Sequence, residues 1–276
     1  MKVSAIQMIS SVEREANLAR AHALLGEAAA AGAELAVLPE YFCVMGRRDT
    51  DKIALREQPG DGPVQRFLAD AAREFGLWIV GGTLPLVSPE DEQHVLNTSL
   101  AFSPAGDCVA RYDKIHLFHY DNGTERYDER RVITPGTQPV LFELPSRDGH
   151  VWRVGMSVCY DLRFPELYRA LAARGAELLL VPSAFTHTTG SAHWEVLLRA
   201  RAIENLAWAM APAQGGTHEN GRRTWGQSLV VDPWGTIAAQ RATGEGVVSC
   251  DIDSAQVAKA RQQLPALAHR VIAAWA

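Results

Sequence analysis

A glutamate, a lysine and a cysteine in this chain each follow closely on a short apolar run. Glu40 follows Leu35–Leu38 and Pro39, Lys114 follows Cys108–Tyr112 and Asp113, and Cys159 follows Val151–Val158. Strand exits are where an α/β sheet presents side chains to a crevice. Taken singly, each residue has a plain structural reading: a solvated loop acid, a surface cation, a buried thiol. Together they can carry acyl transfer. A thiol on a strand–helix turn, near backbone N–H groups and the positive end of a helix, is placed to form thiolate and attack an amide carbon. Lys114 and the backbone N–H of Tyr160 are then candidate donors to the oxygen on which charge develops. Glu40, between an apolar strand and Tyr41–Phe42, is suited to protonating a leaving amine and activating water.

The elements that must hold these groups are legible in the same residues. The β-branched run Val151–Val158 reads as a buried strand, and Pro165 opens a helix through Arg174 that stops at Gly175. Earlier in the chain, a strand Lys2–Ile9 precedes a helix Val12–Gly32, for which Ser10 or Ser11 is the expected cap. Leu35–Leu38, a helix Pro63–Phe75 and Leu77–Val80 repeat the alternation. Val95–Phe102 and Cys108–Tyr112 flank a Pro/Gly turn, and SLVVDPWGTIAAQ turns at Asp232–Gly235, so two hairpins are expected. Leu178–Val181, a helix about Ala192–Asn205, Trp208–Ala213, a strand Gly246–Asp251 and a helix capped by Ser254 and ending at Leu264 complete the pattern. Strand–helix alternation mixed with hairpins implies a mixed α/β sheet system. No linker interrupts it, so residues 1–276 read as one domain. The longest stretch without periodicity, Asp113–Pro139, is expected to be a functional loop.

Composition narrows the function. The chain has 276 residues, 47% of them hydrophobic, and a net charge of −5 with Lys and Arg scattered, so no face is offered to nucleic acid. Met1–Ser10 lacks a cleavage signature, and no apolar run approaches the roughly 20 residues of a membrane span. Cys43, Cys108, Cys159 and Cys250 form no C-x-x-C pair, which points to a reducing, cytoplasmic compartment. His187 and His193 are too widely spaced for an H-E-x-x-H pair, and neither a metal nor a cofactor is expected. Ser157 in Gly155-x-Ser157 lacks the closing glycine of a serine nucleophile elbow and reads as a strand residue. The seven tryptophans, Trp194, Trp208 and Trp234 among them, read as core.

Five segments together resemble the nitrilase superfamily, the carbon–nitrogen hydrolases, over nearly the whole chain. They are LAVLPEYF (Leu35–Phe42), NTSLAFSPAGDCVARYDKIHLF (Asn97–Phe118), GMSVCYDLRFPELYR (Gly155–Arg169), RARAIEN (Arg199–Asn205) and SLVVDPWG (Ser228–Gly235). The resemblance implies a four-layer α-β-β-α sandwich, usually paired into dimers across one helical layer. It places the family's Glu–Lys–Cys triad at Glu40, Lys114 and Cys159. A second family glutamate matches Glu129 in YDERR and would orient Lys114 or the substrate amide. In RARAIEN, Glu204 is expected to pair with Arg199 or Arg201.

CYDLRFPE (Cys159–Glu166) resembles the Nit branch, whose members hydrolyse terminal amides of small carboxylates such as deaminated glutathione or 2-oxoglutaramate. N-carbamoyl amino acids and nitriles are alternative substrates on the same scaffold. A non-catalytic interaction protein is the alternative outside the class, against which both the cysteine and the lysine speak. The branch pattern is broken at His119, a candidate substrate contact, and at Gln227. A distal carboxylate calls for arginine, and at least one of Arg163, Arg130 and Arg131 is expected to face the pocket. Arg163 could instead brace its turn against Glu166 or Asp161. The partners implied are a small amide, water and a second copy of the chain. The apolar tail Leu264–Ala276, with Val271, Ile272 and Trp275, is expected to cover its own domain or a neighbouring subunit.

Overall fold

Period-2 alternation in the first strands decides how the layers stack. In a computed structural model, which describes residues 1–272, Val3, Ala5, Leu35 and Val37 point into a core shared with Trp152, Val154 and Leu178 of a second sheet. Their neighbours Ile6, Ala36 and Leu38 point the other way, onto Leu24, Leu25 and Leu68 of helices Arg14–Ala30 and Pro63–Phe75. Leu167 and Leu171 of helix Pro165–Ala173 and Trp194 and Leu198 of helix His187–Asn205 pack on the second sheet. The result is the four-layer α-β-β-α sandwich.

The first sheet has seven strands. Lys2–Gln7 pairs in parallel with Leu35–Val37, which pairs in parallel with Trp78–Val80. Val95–Phe102 then runs antiparallel to both Leu84–Val87 and Cys108–Asp113. In the six-stranded second sheet, Val151–Met156, Leu178–Leu180 and Trp208–Ala211 are parallel neighbours. The hairpin Ser228–Val231 with Ile237–Arg241 extends one edge. Both expected hairpins form.

Several boundaries differ from the sequence reading, each for a local reason. The first helix starts at Arg14 and not Val12, because Ser11 Oγ accepts from the Glu13 N–H at 3.1 Å and holds that residue in a turn. Helix His187–Asn205 begins five residues before Ala192, where the Thr186 side chain accepts from Thr189 N–H. The last helix is capped by Asp253, whose carboxylate accepts from Ala255 N–H at 2.8 Å, and Ser254 is its first residue. Trp234 is not core; it sits at a turn tip and is 60% exposed. Glu204 pairs with Arg201 at 2.8 Å, while Arg199 donates to the Gly235 carbonyl. The stretch 113–139 contains a small ribbon, His119–Asp121 with Arg126–Asp128, followed by a 3-10 turn at Glu129–Arg131. Val271 and Ile272 are exposed, and Trp275 lies outside the described residues. No helix among the described residues is long and apolar enough to cross a membrane.

Candidate active site

The first sheet brings Glu40 to the cavity through a tight turn. Tyr41 takes the left-handed φ of +57°, and its N–H donates to Thr83 Oγ1 at 2.9 Å. Gly82 lies so close to this turn that a Cβ there would stand 1.9 Å from the Pro39 carbonyl oxygen, which only glycine avoids. Glu40 is 1% exposed. A buried carboxylate needs donors, and it has three: Asn97 Nδ2 at 3.0 Å, Lys114 Nζ at 2.9 Å and the Ala184 N–H at 2.9 Å.

Lys114 stands one residue past Cys108–Asp113, its own N–H bonded to the Asn97 carbonyl. Its ammonium is buried between two carboxylates, 2.9 Å from Glu40 Oε1 and 2.8 Å from Glu129 Oε2. Burial alone would lower its pKa, but Glu129 and Glu40 outweigh it and hold the group above the ordinary lysine value. Glu129 opens the 3-10 turn of the long loop and also accepts from Tyr41 OH at 2.7 Å and Phe118 N–H at 2.7 Å. Burial raises its pKa, while Lys114 and these donors lower it further, and the net direction is down. Glu129 is thus an anion in the resting site.

Cys159 sits where Val151–Met156 gives way to a 3-10 turn, Cys159–Arg163. Its φ is +50°, a strained value for a non-glycine residue, and its N–H is spent on the Pro182 carbonyl at 3.0 Å. The buried Asp161 carboxylate secures this turn by accepting from Val158 N–H at 2.8 Å. The expectation of a thiolate is corrected by the structure. Burial first, then the facing Glu40 carboxylate, push the thiol well above its usual range, and Lys114 only partly offsets them. The resting residue is a thiol.

Glu40, Glu129, Cys159, Tyr160 and Arg163 line one cavity, with Phe118, Phe185 and Thr189 among its other walls. Arg163 donates to His193 Nδ1 at 3.2 Å and lies against the Phe185 and Tyr160 rings, so it does not pair with Glu166 or Asp161. Arg130 and Arg131 are exposed and line neighbouring grooves instead. His119 is also exposed, 3.7 Å from Asp128 on the rim of an adjoining groove that His116 shares. Gln227 bonds Gln240, away from this cavity, and Ser157 Oγ is occupied by Tyr168 OH and the Leu180 carbonyl. No group of three His, Cys, Asp or Glu among the described residues could hold a metal ion.

Sequence reasoning left out Asn97, Tyr41 and Arg222 as members of the site. Asn97 had a signal, an amide inside the apolar run VLNTSLAF that burial would force to find partners. Arg222, on a loop after the parallel strands, had none.

A buried thiol facing a carboxylate that a buried ammonium also contacts is an arrangement a cysteine-dependent amidase can use. Residues 2–262 match the family model described as carbon-nitrogen hydrolase, and the chain belongs to this family, within the Nit branch of the nitrilase superfamily. It hydrolyses a C–N bond by a cysteine-dependent amidase mechanism. It is 44% identical to a deaminated glutathione amidase of Yersinia enterocolitica over 77% of this chain and 73% of that one. It is 37% identical to the omega-amidase NIT2 of Homo sapiens, over 96% and 92% of the two chains. The NitFhit protein of C. elegans superposes with a TM-score of 0.89 at 36% identity, covering 98% of this chain and 65% of that longer protein.

Proposed function

We propose that Cys159, Lys114 and Glu40 hydrolyse the terminal amide of a small carboxylate, an omega-amidase or deaminated-glutathione-amidase type of reaction. The observation that carries this reading is Lys114 Nζ bridging Glu40 and Glu129 at 2.9 and 2.8 Å at the cavity that Cys159 lines. Glu40 takes the thiol proton as Sγ attacks the amide carbon. An ammonium has three hydrogens; one goes to Glu40 and one is shared by the two Glu129 oxygens, leaving the third for the new oxyanion. Because the Cys159 N–H is already spent, the Tyr160 N–H is its partner in that task. The proton on Glu40 then passes to the leaving nitrogen, ammonia departs, and a thioester remains on Cys159. Glu40 next draws a proton from water as its oxygen bonds the thioester carbon; the C–S bond breaks, the acid leaves, and Glu40 returns the proton to Sγ. Glu129 keeps Lys114 charged and aimed.

Support for a carboxylate on the substrate comes from the cavity wall, where Arg163 pairs with no carboxylate among the described residues. His119 does not share that wall and would act, if at all, on a part of the substrate outside it. The working unit we propose is residues 1–276 as one domain, paired as a homodimer, in a reducing cytoplasm. The last point is supported by four cysteines that all remain free. Ammonia release from a panel of amides, nitriles and N-carbamoyl amino acids tests the substrate class. Carboxylate-terminated amides should turn over fastest, and a better nitrile or N-carbamoyl substrate would overturn it.

A further inference from the structure

Arg222 reaches the Cys159 cavity from a hairpin whose Thr217 and Arg223 are bridged, and no step above uses it. Its Nη2 donates to the Ala184 carbonyl at 3.0 Å, and the Tyr127 ring centroid lies 5.3 Å from its guanidinium carbon. Its Nε is buried with no hydrogen-bond partner among the described residues. Nη1 faces only the Met45 sulfur at 3.9 Å. A guanidinium normally spends its fork of donors on a carboxylate or phosphate. Lys114 is paired twice over, whereas no ion pair joins Arg222 to a carboxylate among the described residues.

The charges around the cavity point the same way. Glu40 and Glu129 face Lys114, Arg163 and Arg222, so one positive charge is in excess when Cys159 is a thiol. A monoanionic substrate would balance it. Arg222 also lines a neighbouring groove with Arg47, Arg48, Lys52, Arg126 and Arg131 and the single acid Asp49, on a chain whose net charge is −5. Arg47, Lys52 and Arg126 are paired with acids, and the positive charge left in excess draws anions to this face. Burial works against the charge of Arg222 itself, but the nearby Glu40 carboxylate favours it, and the net direction is up, so the group stays protonated.

We propose that Arg222 is a specificity-determining residue that, with Arg163, clamps the carboxylate at the far end of the acyl group through its unspent Nε–H and Nη1–H donors. The inference rests on the small-carboxylate reading of the substrate. Its loop is held in place by His218, which bonds the Ser10 carbonyl at 2.9 Å and Thr224 Oγ1 at 2.8 Å. The guanidinium is therefore held beside the cavity before substrate arrives, which limits the ordering cost of binding.

The experiment measures ammonia release, as kcat/KM, from glutaric acid monoamide and from its methyl ester, in wild type, Arg222→Met, Arg222→Lys and Arg163→Met. Wild type should prefer the free acid by roughly ten- to a hundredfold, the span of a charge-assisted hydrogen bond. Arg222→Met should cut that preference at least tenfold, mainly through KM, and Arg222→Lys should recover part of it. A merely structural role, bracing the Ala184 carbonyl, would damage both substrates alike and leave the ratio untouched. If wild type prefers the acid and both Arg222 variants keep the full preference, the assignment to Arg222 is overturned while the substrate reading stands. Absence of any preference in wild type removes both. Circular dichroism establishes that each variant is folded, and Arg222→Lys decides the matter should Arg222→Met not be.

Discussion

Asp161 Oδ1 lies 2.7 Å from His116 Nδ1, and this contact ties the Cys159 turn to the segment that carries Lys114, the proposed nucleophile to its proposed cation. The same buried carboxylate accepts from Tyr112 OH at 2.6 Å, from His116 N–H at 3.0 Å and from Val158 N–H at 2.8 Å. Residues 112 and 116 flank Lys114, and residue 158 precedes Cys159. One side chain thus fixes the spacing between two strand exits on different sheets. Asp161→Asn keeps the shape but removes the charge and one acceptor. We expect it to cost about 3 kcal/mol of stability, as breaking a buried polar network does. It should also lower kcat more than it raises KM. Wild-type melting and kinetics in this variant would show that the tie is dispensable.

Glu40→Gln keeps the side-chain shape and holds no titratable proton, but its single amide oxygen can accept either from Asn97 and Lys114 or from the Ala184 N–H, not from both sides. Acylation and deacylation should both stall, with kcat reduced at least about a hundredfold, the usual scale for a lost general acid–base. Steady-state ammonia release is the measurement. Near-normal turnover would move the acid–base role to Glu129. Lys114→Met should be equally damaging, since it removes the oxyanion's charged donor and leaves two carboxylates facing each other.

The raised pKa of Cys159 has a direct readout. Reactivity toward iodoacetamide should stay low through neutral pH and climb only above the ordinary thiol range, because thiolate is the reactive form. A plateau of reactivity reached below pH 8 would indicate a stabilised thiolate and contradict the proton transfer to Glu40.

His218 carries a pH signature in stability. Burial lowers its pKa from 6.5 to about 4, so it is held neutral between Ser10 and Thr224. Between those two values only the unfolded chain takes up the proton. Its contribution is therefore whole above about pH 6.5 and is lost as pH falls toward 4, about 3 kcal/mol at the limit. His218→Gln should flatten the melting temperature against pH across this window. Parallel curves for wild type and variant would refute it.

Sequence alone could place Glu40, Lys114 and Cys159 at strand exits because each follows a strand whose apolar pattern is short and sharply ended. Glu129 came from a motif in a loop without periodicity, and its geometry there depends on the Tyr41 hydroxyl and Phe118 N–H, which no local pattern encodes. The ionisation of Cys159 was misjudged for a related reason. Strand–turn context suggested helpful dipoles, but the thiol's state is set by burial and by Glu40, 119 positions away in the numbering of the chain. Arg222 was illegible because adjacent arginines in a Gly-rich loop usually sit in solvent. Trp234 misled in the opposite sense, since the turn tip of a hairpin at the sheet's edge offers nothing to cover a large ring.

Val196 and Ile203, seven residues apart on one face of helix His187–Asn205, are 69% and 44% exposed. Ile203 lies against the Gly235 turn that carries the exposed Trp234. Apolar side chains gathered on one face suit an interaction surface, and we expect a second copy of the chain to cover them. Sedimentation at micromolar concentration should show a dimer, and Ile203→Asp with Trp234→Asp should shift it to monomer. A wild-type monomer under those conditions would exclude the pairing.

The central claim is that the Cys159 thiol is the nucleophile. It is tested most directly by ammonia release from a carboxylate-terminated amide by Cys159→Ala, in protein whose circular dichroism matches wild type. We expect turnover below about one part in a hundred of wild type, since loss of a nucleophile usually costs far more. Activity above that level would assign the attack to another group and contradict the mechanism.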